Sequence, residues 1–240
     1  MNIKTIIFDM DGTILDTVED LRVAINHSLS ECGHRHDFTY EDTKYLFGSG
    51  VKVAIERALC MEAGAGYDEL IAVGTAGNDG SAYGITEEEV TRIIQVYKPF
   101  YEKNCLVNTC AYPGIIELLK KLRSDGVKTA VVSNKPHEAV LSLCDVLFKD
   151  MFDYAAGEQP GITRKPAPDM LLAAMKELGS NESDSVYIGD SEIDMQTAAN
   201  CNLPCITVDW GFRSAAFLKN NGAEFIAGTA DEVYNIIITH

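Results

Sequence analysis

The chain has no long apolar run. A membrane-crossing helix takes about 20 consecutive apolar residues, and no segment among the 240 residues reaches that length. The apolar stretch within Met1 to Asp16 meets acids at Asp9 and Asp11, too soon for the apolar region of a signal peptide. The expected location is therefore the cytoplasm. Basic residues are also scarce: Lys and Arg number 20 against 36 Asp and Glu, a net charge of −16. Such a surface repels nucleic-acid phosphates and anionic membranes, which argues against both as partners. Cysteine pairs are missing. The thiols of Cys32, Cys60, Cys105, Cys110, Cys144, Cys201 and Cys205 are odd in number and form no Cys-x-x-Cys, the pattern of reduced thiols rather than a disulfide framework or a zinc site. Internal repeats and low-complexity tracts are absent.

What is present is an ordinary globular balance, with 46% hydrophobic and 23% charged residues. The length suits one large domain or a core with a smaller one. Ile3, Ile6, Ile7 and Phe8 predict a short buried strand over Ile3 to Asp9, ended by a turn at Gly12. From Thr17 to about Lys103 the pattern is helical. Val18, Leu21, Ala24, Ile25, Ser28 and Leu29 lie at helical spacing, and Cys32-Gly33 closes that helix. Further helices are expected over Val51 to Cys60 and Thr86 to Tyr101, the latter with Thr86 and Glu89 at capping-box spacing. Gly64 to Gly84 reads as glycine-rich loop with one short helix near Asp68 to Val73.

After Tyr112-Pro113-Gly114 helices and strands alternate. Helices are expected over Ile115 to Arg123, His137 to Val146, Pro168 to Leu178, Ile193 to Asn200 and Asp231 to Ile237. Strands are expected over Val127 to Val132, Phe152 to Ala156, Ser185 to Gly189, Pro204 to Val208 and Glu224 to Ile226. This alternation implies an α/β fold, a parallel sheet with helices on both faces. The first strand belongs to that sheet, so the helical stretch is an insertion straight after it.

Four separated segments carry groups suited to one reaction. Asp9 and Asp11 end the first strand, where ligands bind in parallel sheets. Two acids this close repel unless they share a proton or a cation, and magnesium favours a few carboxylates together with water and phosphate oxygens. Ser133-Asn134-Lys135 follows a second strand and offers donors for phosphate oxygens, or else a plain helix cap. Lys165, flanked by Pro166 and Pro168, can hold an ammonium against a phosphate, or sit on a solvated loop. Asp190 follows a third strand, with Asp194 one helical turn on; helix N-termini also attract acids for their own dipole.

In this order the segments resemble the haloacid dehalogenase superfamily of phosphotransferases, over essentially the whole chain. The resemblance implies a Rossmann-like catalytic core over 1–16 and 104–240 with a helical cap domain over 17–103. It implies that Asp9 is the nucleophile that becomes an aspartyl phosphate, and Asp11 the general acid and then base. Ser133 and Lys165 would clamp the phosphate, helped by Gly12 and Asn134. Asp9, the backbone carbonyl of Asp11, and Asp190 would hold Mg2+, with Asp194 as a supporting acid. The expected partner is a small phosphoester, handled by a monomer or homodimer.

Within the insertion, Phe47-Gly48-Ser49-Gly50-Val51 resembles phosphoglycolate phosphatase and its relatives. Backbone N–H groups at Gly48, Ser49 and Gly50 could bind a substrate carboxylate, or form an ordinary turn. The best single substrate expectation is 2-phosphoglycolate. A sugar phosphomutase, such as one acting on beta-glucose 1-phosphate, or a pyrophosphatase fits the same core, and a non-catalytic binding protein fits it poorly. Arg57 or Lys52 could face the substrate, but a solvated helix face is the first expectation for both; His34 and His36 are expected at the surface, His137 in the first turn of its helix, and Trp210 as a packing residue beside the site.

Overall fold

The structure, a computed structural model, describes residues 3–74, 78 and 80–239. The sequence expectations that fall on residues 75–77 and 79, within the glycine-rich stretch, lie outside the described residues. The chain divides into two compact units, one of Met1–Asp16 with Cys110–His240 and the other of Thr17–Thr109.

The first unit holds six parallel strands: β1 (Thr5–Phe8), β4 (Lys128–Pro136), β5 (Tyr154–Glu158), β6 (Ser185–Gly189), β7 (Cys205–Val208) and β8 (Phe225–Ala227), in the order β5-β4-β1-β6-β7-β8. Thr5 to Phe8 pairs with Lys128 to Val131 on one side and with Ser185 to Ile188 on the other. Side chains alternate along a strand, so Ile6 and Phe8 enter one core layer with Val131, Ile188 and Val208. Ile7 enters the other with Ala130, Val132 and Tyr187. Both faces are buried, which is why the strand reads as a continuous apolar run.

Helices α6 (Ile115–Ser124), α7 (His137–Leu147) and α11 (Ala230–Thr239) cover the first layer through Leu118, Leu119, Leu122, Val140, Leu143 and Val233. Helices α8 (Asp169–Leu178) and α9 (Glu192–Asn200) cover the second through Met170, Leu171, Ala174, Met175 and Ala198. The chain leaves β1 for β4 on one side and later places β6 on the other. The strand ends there form the switch-point crevice in which such sheets bind ligands.

The second unit contains α1 (Val18–Glu31), α2 (Tyr40–Leu46), α3 (Val51–Glu62), α4 (Tyr67–Ala72), a 3-10 turn (Ser81–Tyr83) and α5 (Glu87–Asn104). The expected stripe on α1 is buried, Val18, Leu21, Ala24, Ile25, Ser28 and Leu29 together. It packs on α5, which buries Val90, Ile93, Tyr97 and Tyr101. No helix among the described residues is long and apolar enough to cross a membrane.

Three elements differ from the sequence reading. Helix α2 was not expected: seven residues show little periodicity, and its start signal is the reciprocal Thr39–Asp42 capping box. Helix α10 (Ala215–Asn220), capped by Ser214, is shorter still. A two-stranded antiparallel ribbon, β2 (Leu15–Asp16) with β3 (Cys110–Ala111), was also missed, since two-residue strands carry no pattern. The second unit runs on as far as Thr109. The reason is Asp20 on α1, whose buried carboxylate accepts the backbone N–H groups of Asn108 and Thr109, the Asn108 amide and the Thr109 hydroxyl.

Candidate active site

The site is built at the C-terminal ends of β1, β4 and β6. Asp9 extends β1 by one step, its N–H donating to the Ile188 carbonyl at 2.8 Å. The chain then turns sharply, the Met10 carbonyl accepting N–H groups from Ile14 and Leu15 at 3.0 Å each. Gly12 takes φ +85°, a left-handed conformation that suits glycine. A Cβ there would stand 2.3 Å from Asp190 Oδ2, and one on Gly211 would stand equally close to the same atom. These two glycines let the backbone close around Asp190. Its carboxylate accepts the Phe212 N–H at 2.6 Å and the Thr13 hydroxyl at 3.2 Å.

Lys165 joins the acids from the loop before α8. Its ammonium donates to Asp9 Oδ1 at 2.5 Å, to Asp194 Oδ1 at 2.8 Å and to the Tyr187 hydroxyl at 2.9 Å. The Tyr187 hydroxyl in turn donates to Asp194 at 2.9 Å. The other Asp194 oxygen accepts the hydroxyl and N–H of Ser191 and closes the capping box that starts α9. Asn134 spends both ends of its amide on the Lys165 backbone: Oδ1 accepts the Lys165 N–H at 2.9 Å, and Nδ2 donates to the Lys165 carbonyl at 3.0 Å. Expected as a helper for phosphate, it serves here as a strut for the lysine. Ser133 Oγ is buried and accepts the Lys135 N–H at 3.2 Å.

Burial dominates the electrostatics. It raises Asp9 to about 7, against the pull of Lys165 and with the push of Asp194. Burial, then Asp194 and Asp9, raises Asp190 well above the ordinary carboxylate range. Asp194 goes the other way: burial raises it, but the charge and hydrogen bond of Lys165 outweigh that and leave it ionised. Lys165 is raised as well, the two aspartates overcoming its own desolvation.

Oxygens of Asp9, Asp190 and Asp194 lie within 4.8 Å of one another. Two carboxylates at that separation repel by roughly 3 kcal/mol at an effective dielectric of 20, a push that Lys165 relieves for Asp194 and only partly for Asp9. The donor set is all hard oxygen, buried and short of positive charge, so a divalent ion such as magnesium fits it. Asp194 already serves Lys165, Tyr187 and Ser191, which leaves Asp9 and Asp190 as the side chains available to an ion. The Asp11 carboxylate stands apart from this group and pairs with Lys135 Nζ at 3.1 Å.

The sequence reading missed Tyr187, which looks like any apolar residue in mid-strand. Thr13 and Lys135 stand inside the segments singled out, but the sequence reading gave neither a role of its own; the structure pairs them with Asp190 and Asp11. Trp210 is half-buried and donates to the Thr13 carbonyl at 3.1 Å, beside the site as expected. His137 opens α7 and accepts the Gly157 N–H at 3.2 Å.

In the helical unit Gly48 and Gly50 take φ +107° and +88°, and Ser49 between them is buried. Arg57 corrects the sequence reading. It is 1% exposed, not on a solvated face, and donates to the carbonyls of Tyr45, Leu46, Phe47, Ile71 and Val73 and to Ser49 Oγ. Lys52 does lie on the surface, bridging Glu87 at 2.7 Å and Glu56 at 3.8 Å. His34 stands between Glu62 and Glu89, at 2.8 and 2.5 Å. Burial lowers its pKa, but the two glutamates overcome that and raise it. His36 is exposed. The seven cysteines are free thiols.

A family model described as haloacid dehalogenase-like hydrolase matches residues 6–208. The chain is 32% identical over 211 residues to the phosphoglycolate phosphatase of Pseudomonas syringae pv. tomato, spanning 87% of this chain and 70% of that protein. It is 30% identical over 213 residues to the phosphoglycolate phosphatase of Psychrobacter arcticus, spanning 88% and 86%. Among solved structures, a candidate phosphoglycolate phosphatase from Lactobacillus delbrueckii subsp. bulgaricus superposes with a TM-score of 0.96 at 51% identity, over 99% of both chains.

Proposed function

Since the chain belongs to the haloacid dehalogenase-like hydrolases and is a phosphoric monoester hydrolase of that family, we propose that it hydrolyses 2-phosphoglycolate through a phosphoryl group carried on Asp9, with Mg2+ as its metal. The convergence of Asp9, Lys165, Asp190 and Asp194 at one strand edge is the observation that carries this reading.

Asp9 is the nucleophile: its carboxylate attacks phosphorus, and the ester oxygen departs on the opposite side. Lys165, bonded to one Asp9 oxygen, orients the carboxylate and favours its ionised form. Asp11 donates a proton to the departing oxygen. It then takes a proton from the water that attacks the aspartyl phosphate, which frees Asp9 and inorganic phosphate. Ser133, with Asn134 and the backbone at Gly12, donates to the phosphoryl oxygens. When bound, Mg2+ supplies the positive charge that lets Asp9 and Asp190 stay ionised together and offsets charge on the transferring oxygens. Asp9, Asp190 and the Asp11 backbone carbonyl would hold it, with Asp194 in support.

The helical unit, in this reading, is the cap that selects the leaving group, and Gly48, Ser49 and Gly50 meet the substrate carboxylate. The names of the curated relatives support 2-phosphoglycolate. The free thiols support a reducing compartment such as the cytoplasm.

The test is phosphate release from 2-phosphoglycolate, beta-glucose 1-phosphate, pyrophosphate and a panel of small phosphoesters, with Mg2+ and then with EDTA. The reading expects 2-phosphoglycolate to be preferred, the activity to vanish in EDTA, and Asp9→Asn to be inactive yet folded. Preference for another phosphoester removes the substrate assignment. Absence of release from all of them removes the mechanism.

A further inference from the structure

We infer that Arg57 is a positioning residue for substrate selection: without touching the substrate, it fixes the Phe47–Gly50 turn whose backbone receives the substrate carboxylate. The inference rests on the 2-phosphoglycolate reading above and concerns what holds that part of the site in shape.

The turn has little stiffness of its own. Gly48 and Gly50 both take left-handed φ values, +107° and +88°, and glycine leaves such a conformation as readily as it enters it. Gly50 is also the residue from which α3 starts, and it brings no side chain to cap that helix. What fixes the turn has to come from the residues packed against it. The Phe47 ring is buried beside Tyr97, with centroids 6.3 Å apart. Ser49 is buried between two half-buried glycines, so its side chain is directed inward. There its Oγ accepts from Arg57 Nη2 at 3.3 Å, while the Phe47 carbonyl accepts from Arg57 Nη1 at 3.4 Å. The arginine grips the turn on both sides of Gly48.

The same guanidinium reaches two helix ends. Nη1 donates to the carbonyls of Tyr45 and Leu46, in the last turn of α2, at 3.2 and 3.3 Å. Nη2 and Nε donate to the Val73 carbonyl, which caps α4, at 3.1 and 3.3 Å, and Nη2 also to Ile71 at 3.3 Å. Carbonyls at a helix C-terminus lack partners within the helix and carry the negative end of its dipole, so a cation suits them. Five N–H donors on one rigid fork serve the turn, α2 and α4 at once.

Packing alone does not call for an arginine here. An apolar residue would fill the space without the cost of desolvating a charge. A lysine would keep the charge, but on a flexible stem with three donors and no fixed directions. What only the guanidinium supplies is register between the turn and its two neighbours. A displacement of about 1 Å is enough to misaim backbone N–H groups at a small anion and to cost a large factor in turnover.

The experiment compares steady-state kinetics on 2-phosphoglycolate and on 2-hydroxyethyl phosphate, an ester of similar size without the carboxylate. The proteins are the wild type, Arg57→Lys and Arg57→Gln at saturating Mg2+. The wild type should prefer 2-phosphoglycolate in kcat/KM. In Arg57→Lys the KM for 2-phosphoglycolate should rise about ten- to a hundredfold, the loss of hydrogen bonds to a charged group. Its kcat should stay within about threefold, and the KM for 2-hydroxyethyl phosphate should move by less than about threefold, the pattern of lost ground-state binding. Arg57→Gln, which loses the charge as well, should lose at least as much of the preference. A residue that served the fold alone would lower kcat for both esters together, through a smaller active fraction, and leave the preference intact. That result, or a preference within about twofold of wild type in every variant that folds, overturns the inference while the phosphatase reading stands. Failure of both variants to fold makes Arg57 a residue of the fold alone and overturns it too. A wild type with no preference for 2-phosphoglycolate overturns the substrate reading, and the inference with it.

Discussion

Asp9 gives the site a pH signature that can be read without substrate. Burial raises its carboxyl to about 7, against an ordinary value of 3.8. A raised folded-state pKa means that the folded protein binds a proton more tightly than the unfolded chain does. The associated stability is present in full below the unfolded value and is lost as pH rises through about 7. Between pH 8 and pH 5 the metal-free protein should therefore gain about 2–3 kcal/mol from this one group, from linkage over that interval. Asp190, raised by burial and by its acidic neighbours, adds in the same direction. Asp194 is held low by Lys165 and contributes nothing in this interval. His34 also works with the same sign, so the wild-type slope alone is not diagnostic. The difference between the wild type and Asp9→Asn isolates Asp9. Urea denaturation in EDTA at pH 5 and pH 8 should give the wild type the steeper gain on acidification, with the asparagine variant losing most of it. Magnesium should reverse the trend, since an ion that binds the ionised pair stabilises more at pH 8 than at pH 5. Equal slopes for the two proteins, or wild-type stability that falls on acidification from pH 8 to pH 5, would refute the claim that Asp9 is desolvated and under-compensated.

Further outcomes follow from the same geometry. Lys165→Met leaves Asp9 and Asp194 buried without their cation and should cost about 3–5 kcal/mol in urea denaturation at pH 8, with a smaller deficit at pH 5 where Asp9 takes up a proton. Gly12→Ala places a methyl 2.3 Å from Asp190 Oδ2 at φ +85°; calorimetry should show Mg2+ affinity reduced by about tenfold or more, the cost of a left-handed alanine alone being about 1–2 kcal/mol. Arg57→Met removes a buried guanidinium and orphans carbonyls on two segments, so the thermal midpoint should drop with a loss of about 2–4 kcal/mol, a few hydrogen bonds to a charged group. His34→Gln should lower stability by about 0.5–1 kcal/mol at pH 6, the range for partly exposed ion pairs. It should cost less at pH 9, because stability from a raised histidine fades as pH climbs past its folded pKa.

Much of the architecture was legible because it rests on local rules. The strand over Ser185 to Gly189 matches β6 to the residue, since Val186, Tyr187 and Ile188 are bounded by polar residues and glycine. Gly179 ends α8 in the left-handed conformation expected of a C-terminal glycine. Where the pattern is only six or seven residues long, as in α2 and α10, periodicity has too few turns to register. Strand β4 ran past its expected end: Ser133 to Pro136 stays within the strand, with a shift of register after Val132 that no residue type announces. Arg57 was misread because a lone arginine on a helix is ordinarily solvated. Only the return of the segments around Tyr45 and Val73 supplies the carbonyls that make its burial tolerable.

The order of strands and helices, the helical insertion and the acids at strand ends were determined by the sequence alone, because each depends on neighbours within a few residues. The assignment of charges to partners was decided only by the tertiary structure. Lys165 meets Asp9 across 156 residues of chain and Thr13 meets Asp190 across 177. Which lysine meets the nucleophile, which carboxylate is left short of charge, and that Tyr187 joins them are matters of distance and desolvation, and both arise only when the strands lie side by side.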